Sequence, residues 1–206
     1  MIAVGVIFYL QDVSPLGKNS LLTVDFFHQY GPMMGELWNR IKNGLTLIYS
    51  FNMGLGLPFF RNFFNYMSSP FNFILFLFNK SQLLMSYSVI IGLKVVASSI
   101  TMSVFLSKKM DNKYLSIPLS ILYAFSAYFI AYYWNIMWLD GLVMIPLITL
   151  GIELIMDKNK PILYILSLLT MLFANYFIGY MVCIFSLMYF IIYLIIHNYY
   201  TALDSK

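Results

Sequence analysis

The chain has 206 residues, of which 61% are hydrophobic and only 10% are charged. Because soluble domains contain about 25% charged residues, this composition excludes a soluble globular domain and predicts a protein solvated mainly by lipid. The net charge of +4 is spread along the chain without a Lys/Arg stripe, so we expect no nucleic-acid partner. The single cysteine, Cys183, excludes a disulfide framework and a thiolate metal site.

The N-terminal segment, residues 1–10, is apolar but too short to cross about 30 Å of hydrocarbon, and it lacks the basic region and cleavage site of a signal peptide. We therefore expect a clipped first helix and an incomplete membrane domain. A long polar loop follows at residues 11–82. Within it, the short apolar run 71–78 predicts an interfacial or re-entrant helix, because it cannot cross a bilayer.

Five further apolar stretches predict membrane helices, so we expect an all-α polytopic membrane protein with about six spans in a single transmembrane domain. These stretches are residues 83–106, 114–133, 139–156, 161–174 and 180–197. The last two come from one apolar run that is too long for a single span. We divide it at residues 175–179, where polar side chains and a glycine interrupt it.

The short connections between these helices predict the orientation of the chain. Lysines crowd two of them, with Lys108, Lys109 and Lys113 in one and Lys158 and Lys160 in the other. The connections 134–138 and 175–179 contain no Lys or Arg. The positive-inside rule therefore places the lysine-rich turns in the cytoplasm and, by alternation of the spans, places the long loop outside.

Asp25 is the most prominent polar residue near the start of the long loop. Aromatic residues flank it, which predicts a partly desolvated carboxylate that is a stronger base toward a hydroxyl than an exposed one. If the segment is helical, His28 lies one turn further along the same face. A helix N-cap role for Asp25 is equally compatible with the spacing.

Two other charged positions have a structural and a functional interpretation. Lys94 lies near the middle of its span, where an ammonium costs about 2.5 to 3.5 kcal/mol on insertion scales and needs a partner. It is either a counter-ion for a lipid phosphate or for Asp25, or half of an interhelical ion pair. Asp140 begins the third long helix as an N-cap, or joins Asp25 at a divalent cation if the fold brings the two together. Glu36 and Arg40 have the spacing of a solvated helical pair.

Several motifs occur in a fixed order along the chain. They are P-L-G at residues 15–17, D-F-F-H-Q-Y at 25–30, Y-S-F-N-M-G-L-G at 49–56, S-P-F-N at 69–72 and N-Y-F-I-G-Y at 175–180. Together they resemble the YfhO family of bacterial membrane proteins, which are similar to polytopic glycosyltransferases of the GT-C type. The G-x-G within the third motif is not a dinucleotide fingerprint, because no strand precedes it and the third glycine is absent.

The resemblance implies transfer of a sugar from a polyprenyl-phosphate donor to a cell-envelope polymer, such as teichoic acid, outside the cytoplasm. In GT-C enzymes an acidic residue of the first external loop acts as the base, and by position this residue is Asp25. The predicted substrate-binding residues are His28, Gln29, Tyr30, Asn52, Lys94, Asn135, Asp140, Asn175 and Tyr176. Basic candidates for the donor phosphate are Lys94, Arg40 and Arg61. No metal ligand is assigned; a divalent cation is the one cofactor left open.

Two other functions stay open. The first is a transporter or flippase of a lipid-linked intermediate, a class that places ionisable groups near the bilayer midplane and uses broken helices. The second is an inactive, truncated assembly partner in the cell envelope, since members of the family are longer than this chain.

Overall fold

The computed structural model describes the backbone of residues 1–204 and the side chains of residues 1–197, and most of it is helical. The α-helices are α1 (Ile2–Leu10), α2 (Gly31–Lys42), α3 (Phe59–Asn62), α4 (Leu83–Lys109), α5 (Ser116–Ala124), α6 (Ala127–Tyr132), α7 (Leu139–Lys158), α8 (Ile162–Ala174) and α9 (Tyr176–Asp204). Two short strands, β1 (Tyr49–Ser50) and β2 (Leu57–Pro58), pair as an antiparallel hairpin. Single π-helical turns occupy Phe26–Tyr30 and Phe63–Met67, and 3-10 helices occupy Pro70–Leu77, Lys80–Gln82 and Lys113–Leu115.

Four helical segments in the described part of the chain are long and apolar enough to cross a membrane. They are Lys80–Lys109, Lys113–Tyr132, Leu139–Lys158 and Tyr176–His197. The remaining apolar helix, α8, has 13 residues and at 1.5 Å per residue extends only about 20 Å. The all-α membrane class is therefore confirmed, whereas the predicted count of about six spans is not.

The structure differs from the predicted helices at two places. The stretch 114–133 is interrupted at Phe125–Ser126, between α5 and α6, and hydropathy gives no sign of this because both sides of the break are equally apolar. The last helix begins at Tyr176 rather than at residue 180. The Asn175 side chain accepts a hydrogen bond from the Ile178 amide (2.7 Å), so Asn175 caps α9 directly and the glycine that follows belongs to the helix.

Helix α7 packs against α4, α8 and α9 and forms the centre of the bundle. Gly151 allows the closest of these approaches, because a Cβ atom at this position would lie 2.7 Å from the backbone N and Cα of Tyr164 in α8. At the end of the bundle that carries the lysine-rich turns, Lys109 of α4 and Glu153 of α7 form an ion pair of 2.7 Å. The Tyr189 hydroxyl of α9 donates to the same Glu153 carboxylate (2.7 Å).

The long loop covers the opposite end of the bundle. Because α8 is short, a recess remains above it, and the π-helical turn Phe63–Met67 packs there. The Asn175 amide donates to the Asn65 carbonyl (2.7 Å), and the Ser68 hydroxyl donates to the Phe173 carbonyl (2.6 Å). The loop and the lysine-rich turns therefore lie at opposite ends of the helices, as the alternation of spans predicts.

The loop is held in place by its own hydrophobic core. Helix α2 is amphipathic and buries Met34 and Leu37, one turn apart, against residues of the loop and the first turns of α4. Phe26 and Phe59 are fully buried in the same cluster, and Tyr87 of α4 donates a hydrogen bond to the Gly31 carbonyl (2.8 Å). The polar side chains of the loop are thus mounted on a packed support.

Candidate functional site

The loop encloses a polar cleft of about 520 Å³ between α2, the β1–β2 hairpin and the residues that precede α4. Six polar side chains line it: His28, Gln29, Glu36, Asn39, Asn52 and Lys80. Three of them, His28, Gln29 and Asn52, are predicted substrate-binding residues, and they reach the cleft from two separate segments of the loop. A cleft of this volume with several hydrogen-bonding groups has the size of a site for a small polar ligand.

Glu36 organises one wall of the cleft. Its carboxylate accepts hydrogen bonds from Arg40 Nε (2.7 Å), Ser50 Oγ (2.8 Å) and Asn52 Nδ2 (3.1 Å). Burial by itself raises the pKa of Glu36, but the three hydrogen bonds and the Arg40 charge outweigh it, and the pKa lies below its ordinary value. The hairpin is thereby fixed against α2.

The prediction that Glu36 and Arg40 form a solvated pair is wrong, because their side chains are only 10% and 8% exposed. Arg40 also donates to the Thr46 carbonyl and lies over the Phe59 ring at 5.3 Å. This guanidinium is therefore unavailable to a donor phosphate. In the sequence, the one indication of this wall of the cleft is the spacing of Ser50 and Asn52, because side chains two residues apart face the same side of an extended segment.

Asp25 lies at the start of the helical turn that carries His28 and Gln29, as the sequence predicts. Its side chain makes no capping bond, so the N-cap interpretation is wrong. The carboxylate is half-buried and has no hydrogen-bond or ion-pair partner among the described residues. Burial, together with the Asp25 charge, raises the pKa of Tyr30 to about 12, and the Tyr30 ring stacks on Tyr66 with centroids 5.5 Å apart.

Lys94 and Asp140 form an interhelical ion pair beneath the loop. Lys94 Nζ lies 2.9 Å from Asp140 Oδ2 and donates to the Ile136 carbonyl (2.8 Å), and both charged side chains are inaccessible to solvent. Ser69 Oγ donates to the other carboxylate oxygen (2.8 Å), and Lys94 faces the Phe71 ring at 5.7 Å. The structural interpretation of Lys94 is confirmed.

This ion pair joins three parts of the chain: α4, the first turn of α7 and the loop residues that precede the 3-10 helix Pro70–Leu77. Lys94 lies at the level of the first turn of α7. The three turns of α4 that precede Lys94 extend beyond the start of α7 and pack against the loop. Neither Lys94 nor Asp140 lines the cleft. Their predicted part in substrate binding therefore has no support in the geometry.

Four other predicted substrate-binding residues do not line the cleft: Tyr30, which is buried, Asn135, Asn175 and Tyr176. Asn175 is buried and uses its side chain to cap α9 and to bind the Asn65 carbonyl. Asn135 is buried as well, and its amide nitrogen is unpaired among the described residues. Tyr176 is 56% exposed at the first turn of α9.

The described side chains contain no group of three or more His, Cys, Asp or Glu residues that could hold a metal ion. Both oxygens of Asp140 are already bonded, one by Ser69 and one by Lys94. The geometry thus gives no support to a divalent-cation site shared by Asp25 and Asp140.

Comparison with known proteins identifies the chain. The family model described as bacterial membrane protein YfhO matches residues 1–205, which is nearly the whole sequence. Searches of curated proteins and of solved structures gave no match. The family match agrees with the ordered motifs and with the four helices that can cross a membrane. The chain is a bacterial membrane protein and belongs to the YfhO family.

Proposed function

We propose that this chain takes part in transferring a sugar from a polyprenyl-phosphate donor to a cell-envelope polymer, such as teichoic acid, on the outer face of the membrane. Two findings support the proposal: membership of the YfhO family, and a polar cleft at the end of the bundle opposite the lysine-rich turns. The resemblance of that family to GT-C glycosyltransferases is the reason to expect sugar transfer. The donor lipid would lie in the surrounding membrane and the polymer would approach from outside.

The observation on which the proposal rests most heavily is the state of Asp25. Glu36 of the same loop is saturated by hydrogen bonds, whereas the half-buried Asp25 carboxylate is unpaired among the described residues. Asp25 is not itself among the residues that line the cleft, but it lies one helical turn before His28 and Gln29, which do. A carboxylate that is partly shielded from water and not engaged by the protein is suited to accept a proton from a substrate.

In the proposed reaction, Asp25 accepts the proton of an acceptor hydroxyl as its oxygen attacks C1 of the donor sugar. A bond forms between that oxygen and C1, the bond from C1 to the phosphate oxygen breaks, and polyprenyl phosphate leaves with the electron pair. The proton then passes from Asp25 to solvent. His28, Gln29 and Asn52 are the residues placed to hydrogen-bond the sugar hydroxyls, and we assign them that role.

Lys80 is the basic residue of the cleft and was not among the sequence candidates for the donor phosphate. It is exposed and has no ion-pair partner among the described residues. Lys94 and Arg40 are engaged inside the protein, and the exposed Arg61 does not line the cleft. Lys80 therefore replaces all three in the proposal as the cation that stabilises the departing phosphate.

The test is an Asp25→Asn substitution in the host bacterium, with the sugar content of purified teichoic acid as the readout. We expect loss of the sugar with protein level and membrane insertion unchanged, because the amide keeps the size of the side chain but cannot act as a base. Asp111→Asn is the matched control, since Asp111 is an exposed carboxylate in a lysine-rich turn at the far end of α4.

Unchanged glycosylation in the Asp25→Asn strain would remove the catalytic assignment. The location of the lipid-linked sugar separates the proposal from its alternatives. A transferase defect leaves the donor on the outer leaflet, whereas a flippase defect leaves it on the inner leaflet. If deletion of the whole gene leaves the polymer glycosylated, the chain is not the transferase.

A further inference from the structure

A second cavity, of about 380 Å³, lies at the lysine-rich end of the bundle, far from the polar cleft. The ends of α4 and α7 and the turn that leads into α8 surround it. Four lysines, two carboxylates and two leucines line it: Lys108, Lys109, Lys158, Lys160, Glu153, Asp157, Leu150 and Leu154. The cavity therefore combines a cationic rim with an apolar wall.

Both carboxylates are already engaged by neighbouring helices. Glu153 binds Lys109 (2.7 Å) and accepts a hydrogen bond from the Tyr189 hydroxyl (2.7 Å). Asp157 accepts a hydrogen bond from the Tyr193 hydroxyl (3.0 Å). The carboxylates therefore balance two of the four lysine charges at most.

Three of the lysines have free ammonium groups. Lys108, Lys158 and Lys160 are exposed and have no hydrogen-bond or ion-pair partner among the described residues. They come from two turns that are well separated in sequence, and α4 and α7 bring them to one cavity. An excess of positive charge that converges on an enclosed space is a site for an anion.

The backbone fixes where these ammonium groups stand. Helix α7 ends in an αL cap: Asn159 is left-handed (φ 53°) and its amide donates to the Ile155 carbonyl (3.0 Å), while the Lys160 amide donates to the Leu154 carbonyl (3.0 Å). This turn positions Lys158 and Lys160 on either side of Asn159, at the end of a membrane-spanning helix. Ends of spanning helices lie at the level of the lipid headgroups, where phosphate is the abundant anion.

A simpler explanation accounts for the lysines without a ligand. Lysines at cytoplasmic helix ends satisfy the positive-inside rule and favour the negative end of the helix dipole. The positive-inside rule applies equally to Lys113, which lies at the start of the next helix and does not line the cavity. It does not account for the convergence of four lysines on a cavity with an apolar wall.

We propose that this cavity binds the phosphate of an anionic phospholipid, with the headgroup between the free lysines and the acyl chains along Leu150 and Leu154. A lipid fits the combination of a cationic rim and an apolar wall better than free phosphate does. The site would tie the ends of α4 and α7 to the membrane surface independently of the proposed transferase activity.

The test is native mass spectrometry of the purified, delipidated full chain titrated with phosphatidylglycerol, and separately with phosphatidylcholine and with inorganic phosphate. Each lysine near an anionic surface contributes a factor of roughly five, so Lys158→Ala/Lys160→Ala is expected to weaken phosphatidylglycerol binding about 25-fold. Lys42→Ala/Lys113→Ala removes the same charge from exposed positions outside the cavity and is expected to leave binding unchanged.

Equal weakening in both double variants would show that only net charge matters and would overturn the proposal. Equal binding of phosphatidylcholine and phosphatidylglycerol to the unaltered chain would do the same. Displacement of the lipid by an equal concentration of inorganic phosphate would assign the site to free phosphate and would also overturn the lipid assignment.

Discussion

Substitution of Lys94 by methionine leaves the Asp140 carboxylate without its cation at a position where both side chains are inaccessible to solvent. Only the Ser69 hydroxyl, at 2.8 Å, continues to donate to that carboxylate. Removing one partner of a buried ion pair costs about 3 to 5 kcal/mol, because the remaining charge is left uncompensated. For a domain of this length 1 kcal/mol corresponds to about 2 to 4 °C, so the expected fall in Tm is roughly 6 to 20 °C.

The assay is thermal unfolding of the protein in detergent, followed by size-exclusion chromatography of the heated samples. Lys109→Met is the matched control, since it breaks an ion pair of the same helix with a 2.7 Å separation but a lysine that is 38% exposed. Glu153 is itself only 5% exposed, but it keeps the hydrogen bond from Tyr189 and solvent reaches the lysine, so the control is expected to lower Tm by less than Lys94→Met does.

The double variant Lys94→Met/Asp140→Leu tests whether the loss of stability arises from the uncompensated charge of Asp140. Replacing both partners of a buried pair by apolar side chains is often neutral, so Tm is expected to recover most of its loss, apart from the effect of the Ser69 hydroxyl that loses its acceptor. If the Lys94 and Lys109 variants unfold at the same temperature, or if the double variant is no more stable than Lys94→Met, the reasoning about this ion pair is refuted.

Three further predictions concern the loop and the helix packing. Because the pKa of Glu36 in the folded protein is lower than its ordinary value of 4.5, ionised Glu36 stabilises the folded state above pH 4.5, and this stabilisation is lost as pH falls below 4.5 through the lowered pKa. The amide protection factors of the β1–β2 hairpin, which correct for the intrinsic effect of pH on exchange, should therefore fall over that range, and constant protection factors would contradict the assignment. Gly151→Ala should lower the free energy of unfolding by about 1 to 3 kcal/mol, because the new Cβ atom forces α7 away from Tyr164. Gly5→Ala, with no atom within 4 Å of the new Cβ, should leave the stability unchanged, and equal Tm values for the two variants would count against the close packing. Asn175→Ala and Asn175→Ser both lose the hydrogen bond to the Asn65 carbonyl, but serine can still accept from the Ile178 amide. The alanine variant should therefore be less stable than the serine variant by about 0.5 to 2 kcal/mol, and identical melting of the two would exclude the capping role.

Hydropathy predicts the spans well because lipid selects apolar side chains along a whole helix. The predicted helix 83–106 corresponds to α4, Leu83–Lys109, and the predicted helix 139–156 corresponds to α7, Leu139–Lys158. Hydropathy does not detect a break within an apolar stretch, such as the break between α5 and α6 at Phe125–Ser126. It also misassigned Gly179 to a break, although this glycine serves packing: a Cβ there would meet the Leu172 Cα at 3.0 Å.

The sequence indicated the cleft residues that are neighbours along the chain, and it indicated Asn52 only through the motif resemblance. Asp25, His28 and Gln29 share one helical turn, so a motif and a period suffice to group them. The partners of Glu36 lie 14 and 16 residues away, and those of Asp140 lie 71 and 46 residues away. Such pairs depend on tertiary folding, and spacing alone gives no signal for them.

The most direct test of the central claim is the side of the membrane on which the cleft opens. In a Cys183→Ser background, a cysteine at Asn39 in the cleft wall and a cysteine at Met110 in the lysine-rich turn can be treated in intact cells with a thiol reagent that does not cross membranes. We expect Asn39→Cys to react in intact cells and Met110→Cys to react only after the membrane is opened. Reaction of Met110→Cys alone in intact cells would place the cleft in the cytoplasm and contradict the proposed external sugar transfer.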